Sequence, residues 1–121
     1  MAGASAALML FTLARDQRAD AAHFREVRME VELRTIRSAI RSYQQKNGRY
    51  PAALHDLVRD GQIRSIPPDP VTRAATWGTI LEERVAADDF GRQGSRSETV
   101  IVDVRSTAPG RDSKGKLWSE Y

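Results

Sequence analysis

A long stretch of the chain, from Arg15 to Lys46, contains neither glycine nor proline. It is rich in arginine, glutamate and alanine, which lose little side-chain freedom on entering a helix. The stretch therefore predicts a single extended α-helix. The whole chain has 121 residues, the usual length of one domain with a modest core, so the remaining residues must fold around this helix.

Apolar residues form a regular stripe only in the second half of this helix. At spacings of 4, 3, 4 and 3 residues, the stripe comprises Met29, Leu33, Ile36, Ile40 and Tyr43. Such spacing places side chains on one helical face and predicts packing. Arg25 and Glu26 occupy the positions that would continue the stripe toward the N-terminus. We therefore expect the second half of the helix to be packed and the first half to protrude.

A weaker apolar line, Phe24, Val27 and Val31, lies on another face of the predicted helix. It has two interpretations, which the sequence leaves open: partial burial within the chain, or contact with a neighbouring subunit.

The basic character of the chain is confined to the predicted helix. The net charge is +3, and residues 15–46 account for all of it, with eight basic and five acidic residues. Because acids alternate with arginines, the pattern favours ion pairs within the helix over a track for phosphates. A nucleic-acid-binding module that uses the basic helix is nevertheless the alternative function.

Residues 1–14, "MAGASAALMLFTLA", carry no charged side chain. As a helix they would extend about 21 Å, less than the roughly 30 Å of a bilayer's hydrocarbon core. No basic region precedes the apolar residues, as it does in a secretory signal. Three interpretations remain: an interfacial anchor of a membrane-peripheral or adaptor protein, the rear of a longer membrane helix, or a disordered start.

The residues after the long helix predict a corner, a second helix and a fixed loop. Asn47-Gly48 tolerates the left-handed conformation that ends a helix, and Pro51 suits the first turn of the next. We expect this short helix at 51–60, with Leu54, Leu57 and Val58 on one face and a stop at Gly61. The proline-rich loop that follows is expected to be held by Ile63 and Ile66.

Two strands are predicted, at 76–83 and 98–106, with a hairpin loop or insert between them. In the second strand, Val100, Val102 and Val104 are expected on one face, and Ile101 and Asp103 on the other. The polar tail ends with Trp118 and Tyr121, which are expected to dock onto the sheet.

No pattern typical of an enzyme or a cofactor site is found. Cysteine is absent, which excludes disulfides and thiolate metal sites. His23 and His55 have no partner at metal-ligand spacing, so we interpret both as solvated side chains. Asp88-Asp89 is interpreted as a charged turn, and the glycines of "GRQG" and "GRDSKG" lack the strand-to-helix context of a phosphate loop.

The order of these features resembles the type IV pilin superfamily, and most closely the major pseudopilins of type II secretion systems. Two segments carry the resemblance, "LRTIRSAIRSYQQKNGRYPAALHDLVRDGQIRSIPPDPVT" (33–72) and "VDVRSTAPGRDSKGKLWSEY" (102–121), together about half of the chain. The Tyr-Pro corner, the single Leu-rich turn and the Ile-Pro-x-Asp-Pro loop are its specific elements.

The resemblance implies a pilin-like α+β fold and a structural role without enzymatic activity, cofactor or nucleic acid. Residues 1–14 would lie in the inner membrane and then in a filament core, residues 15–46 would form the long helix, and residues 47–121 would form a periplasmic domain. The implied partners are further copies of the chain, other pseudopilins and the inner-membrane secretion platform. The expected assembly residues are Leu8, Leu10, Phe11, Leu13, Phe24, Val27 and Val31.

The sequence also departs from the family pattern. Mature family members begin with Phe-Thr-Leu-x-Glu after a glycine, whereas no glycine precedes Phe11 in "FTLAR" and Arg15 replaces the glutamate, so we interpret this match as coincidental. A gap-free comparison places Met1 inside the family's membrane helix, which predicts that the front of a span is absent here. The family's C-terminal calcium loop has several carboxylates, but only Asp112 and Glu120 follow Ser106, so no calcium site is predicted.

Overall fold

A computed structural model of the chain describes the backbone of residues 3–87 and 93–121, and the side chains of residues 17–85 and 96–121. Within these residues the fold is α+β, as the sequence predicts. Asp88 and Asp89, predicted to form a charged turn, lie outside the described residues.

The first element is the long helix α1 (Gly3–Asn47), which is followed by the short helix α2 (His55–Arg59). Strands β1 (Gly78–Ala87) and β2 (Gln93–Arg105) form an antiparallel pair, and a 3-10 helix (Trp118–Glu120) lies near the C-terminus. The single extended helix is confirmed, and it begins well before the predicted start at Arg15.

The apolar stripe of α1 forms one side of the core. Its five side chains, from Met29 to Tyr43, are between 0% and 9% exposed. They belong to one cluster with residues of α2, the loop before β1, β2 and the tail, namely Leu57, Trp77, Ile101, Val104, Ala108 and Trp118. Full burial of a large apolar side chain contributes about 1.5–3 kcal/mol, so this stripe is what fixes the domain to the helix. The predicted packing of the second half of α1 is confirmed.

The corner after α1 begins as predicted and then differs. Gly48 has a φ of 72° and donates its amide proton to the Gln44 carbonyl at 2.8 Å, which ends the helix. The prediction that Pro51 opens the second helix is wrong, because α2 begins at His55. The Pro51 carbonyl instead accepts a hydrogen bond from the Ile101 amide of β2 at 2.8 Å. Pro51 therefore joins the corner to the sheet.

The short helix α2 ends as its sequence predicts. Gly61 has a φ of 76°, and the Gln62 amide donates to the Leu57 carbonyl at 3.0 Å, the bond pattern of a glycine-terminated helix. Leu57 is fully buried, and Leu54 packs at the edge of the core. The α2 face predicted to be apolar therefore lies against α1.

The two strands are longer than predicted, so the expected loop at 84–97 is wrong for most of its length. β1 continues to Ala87 and β2 begins at Gln93. Arg84 lies opposite Glu98, an opposite-charge pair of the kind that stabilises antiparallel strands. The sequence did not predict these strand ends, because they are polar and the alternation of apolar residues stops before them.

An irregularity in the sheet overturns the predicted alternation of β2. Ile80 pairs with Asp103 and the next residue, Leu81, pairs with Ile101, so Val102 has no residue opposite it. Such a bulge moves the following side chains to the other face. Consequently Ile101 and Val104 both enter the core, whereas Val102 is only half-buried.

The proline-rich loop is held by a buried carboxylate as well as by its isoleucines. Ile63 and Ile66 pack against the core as predicted. Asp69, which is 0% exposed, accepts a hydrogen bond from the Val71 amide at 2.8 Å and one from the Ser106 hydroxyl at 2.5 Å. Burial without these donors would cost several kcal/mol, so the bonds determine the position of the loop.

The tail docks onto the domain, as predicted. Trp118 is 6% exposed and lies in the core cluster, and Tyr121 packs beside it with ring centroids 5.1 Å apart. The 3-10 helix that carries Trp118 contacts β2. The C-terminal aromatic residues therefore close the side of the core that the two-stranded sheet leaves open.

Candidate assembly surface

The first described half of α1 projects from the domain. Residues 17–25 are exposed except for the half-buried Ala22. Phe24 is 64% exposed and Val27 is 43% exposed, whereas Val31, nearer the domain, is half-buried. The apolar line predicted on this face of α1 is thus accessible at its N-terminal end and partly covered at its C-terminal end. An exposed phenylalanine on a projecting helix is a surface suited to binding an apolar partner.

The other four expected assembly residues are Leu8, Leu10, Phe11 and Leu13. Their backbone belongs to α1, and their side chains lie outside the described residues.

A groove of about 670 Å³ separates the projecting part of α1 from the proline-rich loop. Phe24 and Arg28 line the helical wall, and Pro68, Pro70 and Arg73 line the opposite wall. Arg73 has a φ of 61°, uncommon for a side chain of this size, and its amide donates to the Asp69 carbonyl at 2.7 Å. The buried Asp69 network therefore fixes the loop wall of the groove, and Phe24 adds an apolar side chain to the helical wall.

Glu26 marks the point on α1 where packing against the domain begins. Its carboxylate accepts a hydrogen bond from the Ser113 amide at 2.7 Å and another from the Ser113 hydroxyl. These bonds, the hydroxyl foremost, lower the pKa of Glu26. The sequence predicted that packing of α1 against the domain begins at Met29. This is wrong by about one turn, because the buried Glu26 extends the contact toward the N-terminus. Because Glu26 interrupts the apolar stripe, the sequence had predicted that it lies in the protruding half of the helix.

Asp112 holds the tail loop together. It accepts hydrogen bonds from the Lys114 and Lys116 amides at 2.9 and 2.8 Å, and from the Tyr121 hydroxyl at 2.5 Å. The Tyr121 bond is the main cause of the lowered pKa of Asp112, and burial together with this bond raises the pKa of Tyr121. The loop that contacts Glu26 is therefore closed by the chain's own amides and hydroxyl.

Arg37 ties the packed half of α1 to both the sheet and the tail. Its guanidinium donates to the Asp103 carboxylate at 2.8 Å, the Val104 carbonyl at 3.0 Å and the Tyr121 carbonyl at 3.1 Å. Arg28, which directly precedes the core residue Met29, is instead paired with Glu32 on the same helix. Two arginines of the basic helix are thus engaged within the chain.

The two histidines do not form a site together. His23 and His55 are both exposed and lie on different helices. Among the described residues, no group of three or more histidine, cysteine, aspartate or glutamate side chains could hold a metal ion.

In the same part of the chain, no helix combines the length and apolar character needed to cross a membrane.

Sequence reasoning missed the polar residues that join α1 to the rest of the chain. Ser113 and Asp103 stand in stretches typical of turns and exposed strand positions, and each contacts a residue of α1 that is distant in sequence, Glu26 and Arg37 respectively. The tail aromatics predicted that this segment docks onto the sheet, but no feature of the sequence indicated its contact with α1.

Comparisons with known proteins give no relative. No protein-family model matches the chain, and neither the curated proteins nor the solved structures include a significant match.

Proposed function

We propose that this chain is a structural subunit of a type II secretion pseudopilus or of a related type IV pilus-like filament. The observation that carries the proposal is the division of α1 into two parts. Residues 29–43 supply one side of a domain core, whereas the described residues before Glu26 project and present Phe24 to the surroundings. Such a subunit can join others through its helix while its domain stays outside the contact.

The exposed apolar side chains supply a driving force for this assembly. Covering a phenylalanine contributes about 1.5–3 kcal/mol, and in a repeating array the same contact forms at every subunit. When the surface on one copy meets a different surface on the next, and the rotation between successive copies does not close, the contact propagates into a helical filament. The projecting half of α1 suits this kind of contact because it is accessible around most of its circumference.

The charge distribution supports a membrane-attached helix with an outer domain. Residues 47–121 contain equal numbers of basic and acidic side chains, whereas residues 1–14 contain no charged side chain. We propose that the uncharged segment lies in the inner membrane before assembly and that the domain lies in the periplasm. The partners are then other copies, other pseudopilins and the secretion platform.

The engaged arginines favour this function over binding to nucleic acid. Arg37 is used inside the domain and Arg28 pairs with Glu32, so these side chains are not arranged as free contacts to successive phosphates. Affinity for nucleic acid depends on many such free contacts.

The test compares two variants of the full-length gene product in a bacterium that carries a type II secretion system. The double variant Phe24→Glu/Val27→Glu places charge on the projecting surface, and the control Ser42→Glu adds a charge at an exposed position in the packed half. We expect the parent protein and the control to fractionate with the inner membrane and to form filaments under electron microscopy. The double variant should reach the membrane and form few or no filaments.

Two results would contradict the proposal. One is a parent protein that stays in the cytoplasm bound to nucleic acid with a steep salt dependence. The other is normal filament formation by the double variant.

A further inference from the structure

The outer strand of the sheet has a free edge. Within residues 3–87 and 93–121, β1 hydrogen-bonds only to β2, so its other edge carries unpaired backbone groups. All five residues from Leu81 to Val85 are exposed, including Leu81 at 55% and Val85 at 57%. An exposed, apolar strand edge is a template on which another strand can pair.

The sequence of this edge, Leu-Glu-Glu-Arg-Val, complements itself when it is read in the opposite direction. β1 is regular here, because its register shifts fall before Leu81 and after Val85. If two copies pair antiparallel with Glu83 opposite Glu83, then Leu81 lies opposite Val85 and Glu82 lies opposite Arg84. We propose that β1 is the contact strand of a two-fold homodimer of this chain, paired in this register.

One face of the paired strands would carry a ring of four charges. Residues directly opposite each other across antiparallel strands point to the same face, with Cβ atoms about 4.5–5.5 Å apart. Arg84 already reaches Glu82 within its own chain at 2.6 Å, so both side chains lie on this face. In the dimer, each Arg84 also meets Glu82 of the second copy. This charge complementarity selects a second copy of the chain as the occupant of the edge.

The opposite face gains apolar contact at its ends and a like-charge contact at its centre. Leu81 of each copy covers Val85 of the other, which removes two exposed apolar side chains of each β1 from water. The two Glu83 side chains meet at the axis, where like charges oppose pairing. This repulsion weakens the dimer, so removal of the Glu83 charge should strengthen it.

The dimer is independent of the proposed filament. Subunits in a polar filament follow one another head to tail, whereas this contact uses the same surface on both copies. It therefore belongs to the unassembled chain, and its failure would leave the filament proposal unaffected.

The register is tested by disulfide cross-linking, for which the chain is suited because it contains no cysteine. In the proposed dimer, Glu83→Cys places two thiols at the axis, within the Cα separation of about 4.4–6.8 Å that a disulfide needs. Thr79→Cys is the matched control on the same exposed strand, since eight residues of offset separate its thiols by roughly 27 Å. Mild oxidation of each purified full-length variant is followed by non-reducing electrophoresis, with circular dichroism to verify folding.

We expect covalent dimer from Glu83→Cys at a yield at least about five-fold above that from Thr79→Cys, since only the former meets the disulfide geometry. A mixture of Leu81→Cys and Val85→Cys proteins should cross-link, while neither should cross-link alone. Equal yields from Glu83→Cys and Thr79→Cys would indicate random collision and overturn the proposal. Stronger cross-linking of Leu81→Cys alone than of the mixture would overturn the register.

A charge exchange tests the four-charge ring without cysteines. In sedimentation equilibrium, Glu82→Arg and Arg84→Glu should each weaken the dimer by roughly ten-fold, because each single change creates two like-charge pairs. The double variant Glu82→Arg/Arg84→Glu restores complementary pairs and should restore the parent affinity. Glu83→Gln should bind more tightly than the parent. A double variant as weak as the single variants would contradict the pairing.

Discussion

The two halves of α1 have similar helix-forming sequences and opposite surroundings. Residues 17–25 contain the same arginines, acids and alanines as the rest of the helix, yet nearly all are exposed, whereas the stripe from Met29 to Tyr43 is almost completely buried. What differs is the presence of apolar residues at helical spacing. Backbone preference therefore explains the length of α1, and side-chain pattern explains which part of it belongs to the domain. The projecting half is free for contacts with other molecules.

The largest effect is expected at the tail, where Trp118 closes the core against the packed half. Replacing a buried tryptophan by alanine costs about 3–5 kcal/mol. Trp118→Ala should therefore lower the melting temperature by roughly 10–20 °C, measured by circular dichroism. The neighbouring Ser119 is exposed, so Ser119→Ala is the control and should change little. An unchanged melting curve for Trp118→Ala would mean that the tail contributes nothing to the domain.

A direct comparison of the two halves comes from Leu33→Ala and Phe24→Ala. Leu33 is 1% exposed and Phe24 is 64% exposed. The first change should cost about 2–5 kcal/mol, and the second, at a surface position, less than about 0.5 kcal/mol. Chemical denaturation of the unassembled chain gives both values. Equal losses would show that Phe24 is packed within the monomer, and the distinction between the halves would fail.

A smaller effect is expected for Arg37, which links the packed half to the sheet and the tail. Arg37→Met keeps much of the side-chain stem but leaves the Val104 and Tyr121 carbonyls without their donor, at a cost of about 1–3 kcal/mol. Arg37→Lys keeps the charge but cannot reproduce the three hydrogen bonds of the planar guanidinium. Its loss of stability should therefore lie between zero and that of Arg37→Met. If Arg37→Lys matched the parent protein, the three-bond geometry would be irrelevant to stability.

The smallest effect concerns the boundary at Glu26 and depends on pH. Because its pKa in the folded protein lies below the usual 4.5, its contribution is fully present above that value and is lost as pH falls through the folded pKa. Glu26→Gln should therefore lower the melting temperature slightly at neutral pH and reduce its dependence on acid. Glu30→Gln, at an exposed position on the same helix, is the control. Identical acid profiles for parent and Glu26→Gln would remove Glu26 from the boundary.

Repeating patterns account for the part of the fold that the sequence predicted. The stripe of α1, the glycine ends at Gly48 and Gly61, and the docking of Trp118 all depend on local rules or on the burial of large apolar groups. For the weaker line of Phe24, Val27 and Val31, the sequence left open partial burial or contact with a neighbouring subunit. In the structure Phe24 and Val27 are exposed and Val31 is half-buried.

Single long-range contacts account for the part that the sequence did not predict. Glu26 is buried because Ser113, far along the chain, donates two hydrogen bonds to it. Val102 lacks a residue opposite it because of a bulge, and nothing in the local alternation of valines indicates one. Pro51 has the usual preference for a first helical turn, but its carbonyl pairs with Ile101. For Glu26 and Pro51 a tertiary hydrogen bond outweighs a local preference, and for Val102 the register of the neighbouring strand does so.

The division of α1 is tested most directly by hydrogen exchange and mass spectrometry on the unassembled full-length chain. Amides in residues 29–43 should exchange only through global unfolding, because core side chains from α2, β2 and the tail cover that half. Amides in residues 17–25, which lack such cover, should exchange through local opening at least about a hundred-fold faster. Equal protection of both segments would show that the projecting half is stabilised by the domain, and would contradict the assignment of separate roles to the two halves.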